Sequence, residues 1–267
     1  MSAQHLSPAK GIRVSLAVIT LNEERNIARC IESCAGAVDE VVVVDSGSTD
    51  RTVEIATRLG AKVITHAFDD FGSQKNRALA LATGDWVLNL DADEWPSEPL
   101  RRAIREVVGQ APADCAGVGF PRHNRICGRW PRFGGWREGP KCRLWRRGLV
   151  SWAGTVHEWA QVDEGFRTTS VPWPLLHDLG DDWQTYCAKQ FSYAARQAAQ
   201  MAQRGRRASL FDPALHGFSA AIRCAIVQGG VLDGAFGLRT AGHRAQAAYR
   251  KWGRLRALSQ QTARGVS

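Results

Sequence analysis

Two aspartates one residue apart, Asp91 and Asp93 around Ala92, directly follow the apolar run 86–90. Carboxylate oxygens are hard ligands. A pair spaced this way at the end of a buried strand can face one Mg2+ or Mn2+. A diphosphate supplies further oxygens to such an ion, which then neutralises charge developing on a departing nucleoside diphosphate. Loop capping is the commoner use of such a triplet, and its place directly after a strand favours the metal.

Three other clusters are candidates for the same chemistry. Asp45 closes a run of four valines and precedes Ser46, Gly47, Ser48, Thr49 and Asp50. Ser48–Asp50 read as helix caps, whereas a carboxylate at 45 is placed to accept a hydrogen bond from uracil N3–H. Thr20, Leu21, Asn22 and Glu23 end an earlier β-branched run and could line a base or ribose. Gln74, Lys75 and Arg77 open a helix whose cations suit phosphate, although an exposed basic face explains them equally well.

Elements that bring these clusters together are legible in the first hundred residues. Runs 13–19, 40–45, 61–66 and 85–91 read as strands. Between them lie helices expected over 22–35 (capped by Asn22, with Glu23 and Glu24 favouring the dipole), from the Ser48–Asp50 caps to Gly60, and from a Ser73 cap to Gly84. Repeated strand–helix units imply a mostly parallel, Rossmann-like sheet flanked by helices, an α/β fold. Ligands bind beyond the carboxyl ends of such strands, where all four clusters and His66 fall.

Beyond position 110 the pattern is irregular, with short strand-like pieces at 117–121, 142–146 and 151–159. Residues 122–147 hold nine cations and one acid, Glu138. Arg125 and Arg143 are among them, and several arginines near a pocket suit a phosphorylated or carboxylated partner. A helix is expected over 182–203, and Arg204–Arg207 mark a boundary. The expected organisation is a domain over 1–205, with a nucleotide-binding half at 10–110 and an acceptor half at 111–182, then a basic helical tail over 206–267.

From Arg204 onward there are eleven basic residues against Asp212 and Asp233, and the whole chain of 267 residues carries +9. Leu238, Ala241, Ala245, Ala248, Trp252 and Leu255 form one stripe at helical spacing, with most of the arginines off it. A basic amphipathic helix of this kind suits an anionic membrane surface, and an ordinary helix docked on the domain is the alternative. The seven cysteines are scattered without zinc-ligand spacing, which implies free thiols in a reducing compartment. Residues 1–10 lack an apolar signal core, so secretion is not expected, and no stretch approaches the ~20 apolar residues of a span. The chain holds ten tryptophans against three tyrosines. Flat aromatic faces suit sugars, but core packing is their commoner use.

The strings AVITLNEERNIARCIESC, EVVVVDSGSTDRTVEIATRLGAKVI and FGSQKNRALALATGDWVLNLDADE resemble the family 2 glycosyltransferases, more narrowly the bacterial branch that adds glucose to the lipopolysaccharide inner core. The pieces NRICGRW, GGW, KCRLWRRG and VHE, and the tail from Gly229, are similar to that branch as well. The resemblance implies a GT-A fold and an inverting transfer from UDP-glucose, with a carboxylate base that deprotonates the acceptor hydroxyl. It further implies Glu158 as base, with Glu138 as substitute, and His177 as third metal ligand, with His157 as its alternative. Arg125, Trp130, Trp136, Arg143 and His157 then fall on the acceptor side. Relatives carry an aspartate where Gly139 stands here, so the acceptor pocket departs from their pattern.

The resulting expectation is an enzyme using UDP-sugar and Mg2+ or Mn2+. It would act on an anionic lipid-linked glycan, cytoplasmic and peripheral on the inner membrane. A polyprenyl-phosphate glycosyltransferase is the enzymatic alternative. A basic nucleic-acid-binding module has no use for the aspartyl pair, so nucleic acid is not an expected partner. An inactive scaffold would not need Asp91, Asp93, Glu158 and His177 together.

Overall fold

The computed structural model describes residues 11–154 and 159–264. They gather into two compact units. One comprises the chain up to His123 together with Gly139–His177, and the other comprises Asn124–Glu138 and the chain from Asp178 onward. The division is therefore not a single point near 205, and the helix that follows Asp182 goes with the tail.

The first unit opens with strictly alternating elements: β1 (Val14–Thr20), α1 (Ile27–Glu32), β2 (Glu40–Asp45), α2 (Thr52–Arg58), β3 (Lys62–Thr65), α3 (Phe71–Leu81) and β4 (Trp86–Asp91). The strands pair in the order β3-β2-β1-β4, all parallel. Every residue of β1 is buried, as a strand covered on both faces must be. On one face Val18, Leu88 and Leu90 pack with Ile27 of α1 and Ala56 of α2. On the other, Ala17, Val44 and Val87 pack with Ala78 of α3. The α/β fold expected from the sequence is therefore present.

Two helix starts differ from expectation. Asn22 is not a cap: it takes a left-handed conformation (φ 55°), and α1 begins only at Ile27. Its side-chain oxygen instead accepts from the Thr49 N–H at 2.8 Å, tying the β1 loop to the β2 loop. Ser73 is not a cap either. Asp70 is, its carboxylate accepting from the Ser73 N–H at 2.8 Å, so α3 starts three residues earlier.

The irregular stretch is more regular than its composition suggests. After β5 (Glu94–Pro96) and α4 (Glu98–Gln110) come β6 (Cys115–Arg125), β7 (Arg137–Arg146), β8 (Val150–Ala153), β9 (Trp159–Val162), β10 (Arg167–Ser170) and β11 (Leu175–Asp178). β7 pairs antiparallel with β4, and the sheet continues β7-β6-β11-β5, with β10 beside β6. β8 and β9 form a separate antiparallel pair. Most of these strands escape a hydrophobicity reading because they are short or charged on one face: β10, Arg-Thr-Thr-Ser, is wholly exposed.

The second unit holds α5 (Trp183–Gln203), α6 (Asp212–Ile222), a π-helical turn over Arg223–Val227, a 3-10 turn over Gly230–Asp233 and α7 (Gly234–Arg264). Asp182 caps α5 through the Thr185 N–H. The α7 stripe expected at a membrane is largely internal. Ala241, Trp252 and Leu255 are buried, and Trp252 and Leu255 pack on Ala198 of α5. His216 of α6 stacks on Trp252 at 3.8 Å.

Gly117 on β6 gives the Trp145 ring its seat: a Cβ there would lie 2.4 Å from Trp145 Cε3. Gly117→Ala is expected to lower stability by about 1–3 kcal/mol in urea unfolding. Gly119→Ala, whose Cβ would meet Pro140 at 3.2 Å, is expected to cost less. Equal midpoints for wild type and Gly117→Ala would show that Trp145 is not held against this strand.

Candidate active site

The carboxyl end of β4 is surrounded by charges from four other elements. Asp91 is its last residue, and the chain turns at once into β5, which starts at Glu94. The antiparallel register of β4 with β7, Leu88 opposite Leu144, brings Arg143 to this end. The Arg143 guanidinium donates from Nε to Glu94 Oε2 at 2.8 Å and from Nη2 to Glu94 Oε1 at 2.9 Å. Nη2 also reaches Asp91 Oδ2 at 3.1 Å. Arg122 of β6 adds a bond to Glu94 Oε1 at 3.2 Å. Glu94 is fully buried, so two arginines meet a carboxylate that no water compensates.

Lys75 of α3 completes the set. Its side chain is only 3% exposed, yet Nζ lies 3.6 Å from Asp91 Oδ1. The same ammonium sits over the Trp152 ring, 4.6 Å from its centroid. Trp152 is fixed from α3 itself, because the Asn76 side chain bonds both its N–H (2.7 Å) and its carbonyl (2.8 Å). Burial pushes the Asp91 carboxyl up, but Arg143 and Lys75, with His177 and Arg122 behind them, outweigh it and hold its pKa down at about 2. Lys75, Asp91, Arg122, Arg143, Trp145 and Trp152 line a cavity of about 390 Å³.

Asp93 has a different neighbour. β11 pairs antiparallel with β5, His177 opposite Glu94, and His177 Nε2 comes to 3.5 Å from Asp93 Oδ2. The aspartyl pair is thus divided: Asp91 meets Lys75 and Arg143, while Asp93 meets the histidine. Among the described residues no three His, Cys, Asp or Glu side chains converge as a ready-made cage. An oxygen and a nitrogen 3.5 Å apart are nonetheless spaced as two ligands of one cation can be, and a hard oxygen with an imidazole suits a divalent ion. The donor set fits such an ion, provided a diphosphate supplies further oxygens. Arg143, expected on the acceptor side, lies instead among the carboxylates of the D-x-D turn, because it is the cation that Glu94 needs.

The nucleotide-side residues fall at the carboxyl ends of β1 and β2 and at the start of α3. Asp45 is buried, and its Oδ2 accepts from the N–H groups of Gly47 (2.9 Å) and Ser48 (2.8 Å). Its Oδ1 accepts from the Ser48 hydroxyl. Asp45 therefore shapes the loop through Ser46, and Gly47 takes a φ of +96° that suits glycine. Asp50 accepts from the Thr52 N–H and the Glu24 N–H, and the Glu23 N–H donates to the Thr52 hydroxyl. Leu21 is exposed, whereas Thr20 is buried with its hydroxyl unpartnered among the described residues. Gln74 is fully buried, donating to His66 and Ala67 carbonyls and to Ser46 Oγ, and accepting from Arg77. Arg77 also pairs with Asp69 at 3.0 Å. Ala92 is buried in the core under the turn.

Arg125, Trp130, Trp136 and Glu138 belong to the second unit. Arg125 pairs with Asp178 and with Asp181. Trp136 is buried against Tyr186 with Arg244 stacked on its ring at 3.9 Å, and Trp130 is exposed. Glu138 accepts from Asn124 Nδ2 at 3.0 Å. His157 and Glu158 lie outside the described residues. Sequence reasoning did not assign roles to Glu94 or Trp152. A glutamate next to two aspartates gives no periodic signal of being the most buried of the three.

Glu94→Gln would leave Arg143 and Arg122 facing a neutral amide in a buried site, and is expected to cost about 3–5 kcal/mol in denaturant unfolding. Glu54→Gln, which breaks the exposed Arg51–Glu54 pair, is expected to leave the unfolding midpoint nearly unchanged. Similar losses for the two would mean that the buried network carries no special energy.

Residues 15–157 match the family model described as glycosyl transferase family 2. An uncharacterized glycosyltransferase of Rickettsia felis is 33% identical over 211 residues, 74% of this chain and 74% of that protein. The lipopolysaccharide core biosynthesis glycosyltransferase LpsC of Rhizobium meliloti is 29% identical over 201 residues, 73% of each chain. Among solved structures, glucosyl-3-phosphoglycerate synthase from Mycobacterium tuberculosis, in complex with Mn2+ and UDP-glucose, is 28% identical. That match spans 43% of this chain and 44% of the other, with a TM-score of 0.37. The matched family region contains the aspartyl turn, Lys75 and Arg143 and covers more than half of the sequence, and a relative at one-third identity spans three-quarters of it: the chain belongs to glycosyl transferase family 2 and is a glycosyltransferase.

Proposed function

We propose that the chain transfers a sugar, glucose by preference, from a UDP-sugar to an anionic lipid-linked glycan such as lipopolysaccharide inner core, with inversion. The observation that carries this reading is the division of the aspartyl turn: one carboxylate locked between a lysine and an arginine, the other paired with a histidine, at the mouth of a parallel sheet. The Rhizobium relative, named for lipopolysaccharide core biosynthesis, supports the acceptor class.

Each residue has a derivable task. Lys75 and Arg143 keep Asp91 ionised, so that it is a fixed hydrogen-bond acceptor for a donor hydroxyl or amide. Their own charges, held in place by Glu94 and Trp152, favour an anionic diphosphate alongside. Asp93 and His177 are the residues to hold Mg2+ or Mn2+, which when bound supplies charge neutralisation to the leaving diphosphate. Asp45 and Gln74 hold the loops after β2 and β3 in the shape that receives the nucleoside. A carboxylate base on the acceptor side, Glu158 or Glu138, takes the proton of the attacking hydroxyl. The basic residues of 122–147 suit an anionic acceptor.

UDP titrated calorimetrically into the protein with Mn2+ is expected to bind. Asp93→Ala and His177→Ala are each expected to weaken that binding by roughly 10–100-fold, as loss of a metal ligand or its support does. UDP affinity that is identical with and without Mn2+, and in both variants, would sink the metal assignment. A set of nucleotide sugars tested for slow Mn2+-dependent hydrolysis identifies the donor.

A further inference from the structure

Helix α6 buries Pro213 and Gly217 and exposes its large apolar residues. Pro213 and Gly217 face inward, and the helix lies so close to α7 that a Cβ on Gly217 would come 3.2 Å from the Ala245 carbonyl oxygen. Outward point Phe211, Leu215, Phe218, Ile222 and Ile226, whose steps of four, three, four and four form one helical stripe. Their exposure runs from 41% at Ile222 to 75% at Phe211, with Phe218 at 69% and Ile226 at 62%. Val227 and Leu232, on the turns that follow, extend the same exposed apolar run along the chain. Scattered exposed apolar residues are ordinary, but a continuous run of large ones on a helix that hides its glycine is an unpartnered face.

We propose that this face, from Phe211 to Leu232, docks on an anionic lipid bilayer, with the chain lying on the membrane rather than crossing it. Charge selects the occupant. Exposed Arg204, Arg206 and Arg207 precede the stripe, and exposed Arg223 sits within it. The only two acids from Arg204 onward are engaged by backbone donors: Asp212 by the Ser209 N–H, and Asp233 by those of Arg132 and Phe133. Several tail arginines stack on aromatic rings, Arg239 on Trp183 and Arg250 on Phe191, an arrangement that orients them without neutralising their charge. Large apolar side chains flanked by long cations are what an anionic interface accepts: the rings enter the acyl boundary and the arginines reach phosphate. Length excludes a span by α6 itself, which has 11 residues against the ~20 required, and no single described helix is long and apolar enough to cross. Among the described residues only Asp212–Val227 and Gly230–Gln261 taken together, bent by 69°, reach that length and composition, and the arginines of α7 favour the interface over the acyl core. The surface differs from the α7 stripe that the sequence alone suggests, because that stripe, apart from exposed Leu238, is packed against α5 and α6. The inference deepens the lipid-linked acceptor reading by naming the part of the chain that reaches the lipid.

The test is co-sedimentation of the full chain with vesicles of phosphatidylglycerol and phosphatidylethanolamine, against vesicles of phosphatidylcholine alone. Wild type is expected to partition onto the anionic vesicles at least about tenfold more strongly, with the difference reduced by salt. Phe218→Glu combined with Ile226→Glu is expected to lower that partition by at least about tenfold. Arg207→Gln and Arg223→Gln are expected to lower it by roughly fivefold each. All four side chains are exposed, and Leu215→Ser with Phe218→Ser replaces the glutamate pair should circular dichroism show that pair unfolded. Absence of wild-type binding, equal partition onto both vesicle types, or full binding by the glutamate pair overturns the proposal. So does a dimer in sedimentation velocity that the glutamate pair dissociates without any vesicle binding, which would give the face to a second copy of the chain. UDP binding, weakened by Asp93→Ala and untouched by the α6 variants, reports on the donor site separately, so the two readings fail independently.

Discussion

The first unit depends on one buried charge arrangement: the Glu94 carboxylate, excluded from water, gripped by both Arg143 and Arg122, with Arg143 shared by Asp91. Burying such a carboxylate alone would cost several kcal/mol, and the cost is met only if every partner arrives in register. Glu94 stands on β5, and its partners come from β4, β6 and β7. The network therefore joins the parallel strands, which follow one another through helices, to the antiparallel strands added later in the chain. A shift of β7 by one residue along β4 would turn Arg143 to the other face and leave Glu94 uncompensated.

The same arrangement sets the chemistry. Asp91 stays ionised because two cations oppose the desolvation that would otherwise protonate it. Lys75 stays in place because an aromatic face and a carboxylate hold it from two sides. Tryptophans contribute here as positioning surfaces: Trp145 rests on Gly117, Trp152 packs edge-on against Trp145, and together they wall the cavity beside the lysine. Preorganised charge of this kind needs no rearrangement to stabilise an anion beside it.

The second unit follows a different economy of residues. α5 and α7 pack through Ala198, Trp252 and Leu255, leaving the arginines of α7 stacked on rings or directed outward. α6 packs through glycine and so keeps its large side chains outside. The absence of a side chain at Gly217 permits the close helix approach, and the large apolar residues lie on the opposite face.

The order β1-α1-β2-α2-β3-α3-β4 was legible from local pattern alone, since four valines in a row and apolar runs broken by Gly and Asp dictate their element without help from elsewhere. So was the place of Asp45, Lys75, Asp91 and Asp93 at one end of the sheet, which follows from alternation itself. Cap identity was not: Asp70 displaced Ser73, and Asn22 turned left-handed to bind Thr49, because each choice depends on loop contacts outside a local window. Nor could local pattern show that Arg143 serves Glu94, that His177 stands beside Asp93, or that most of the α7 stripe is covered while α6 is not. Those facts rest on strand register and helix docking between segments about 50 residues or more apart in some cases and nearer in others. Periodicity reports which face of an element is apolar, and only the packed structure decides what lies against it.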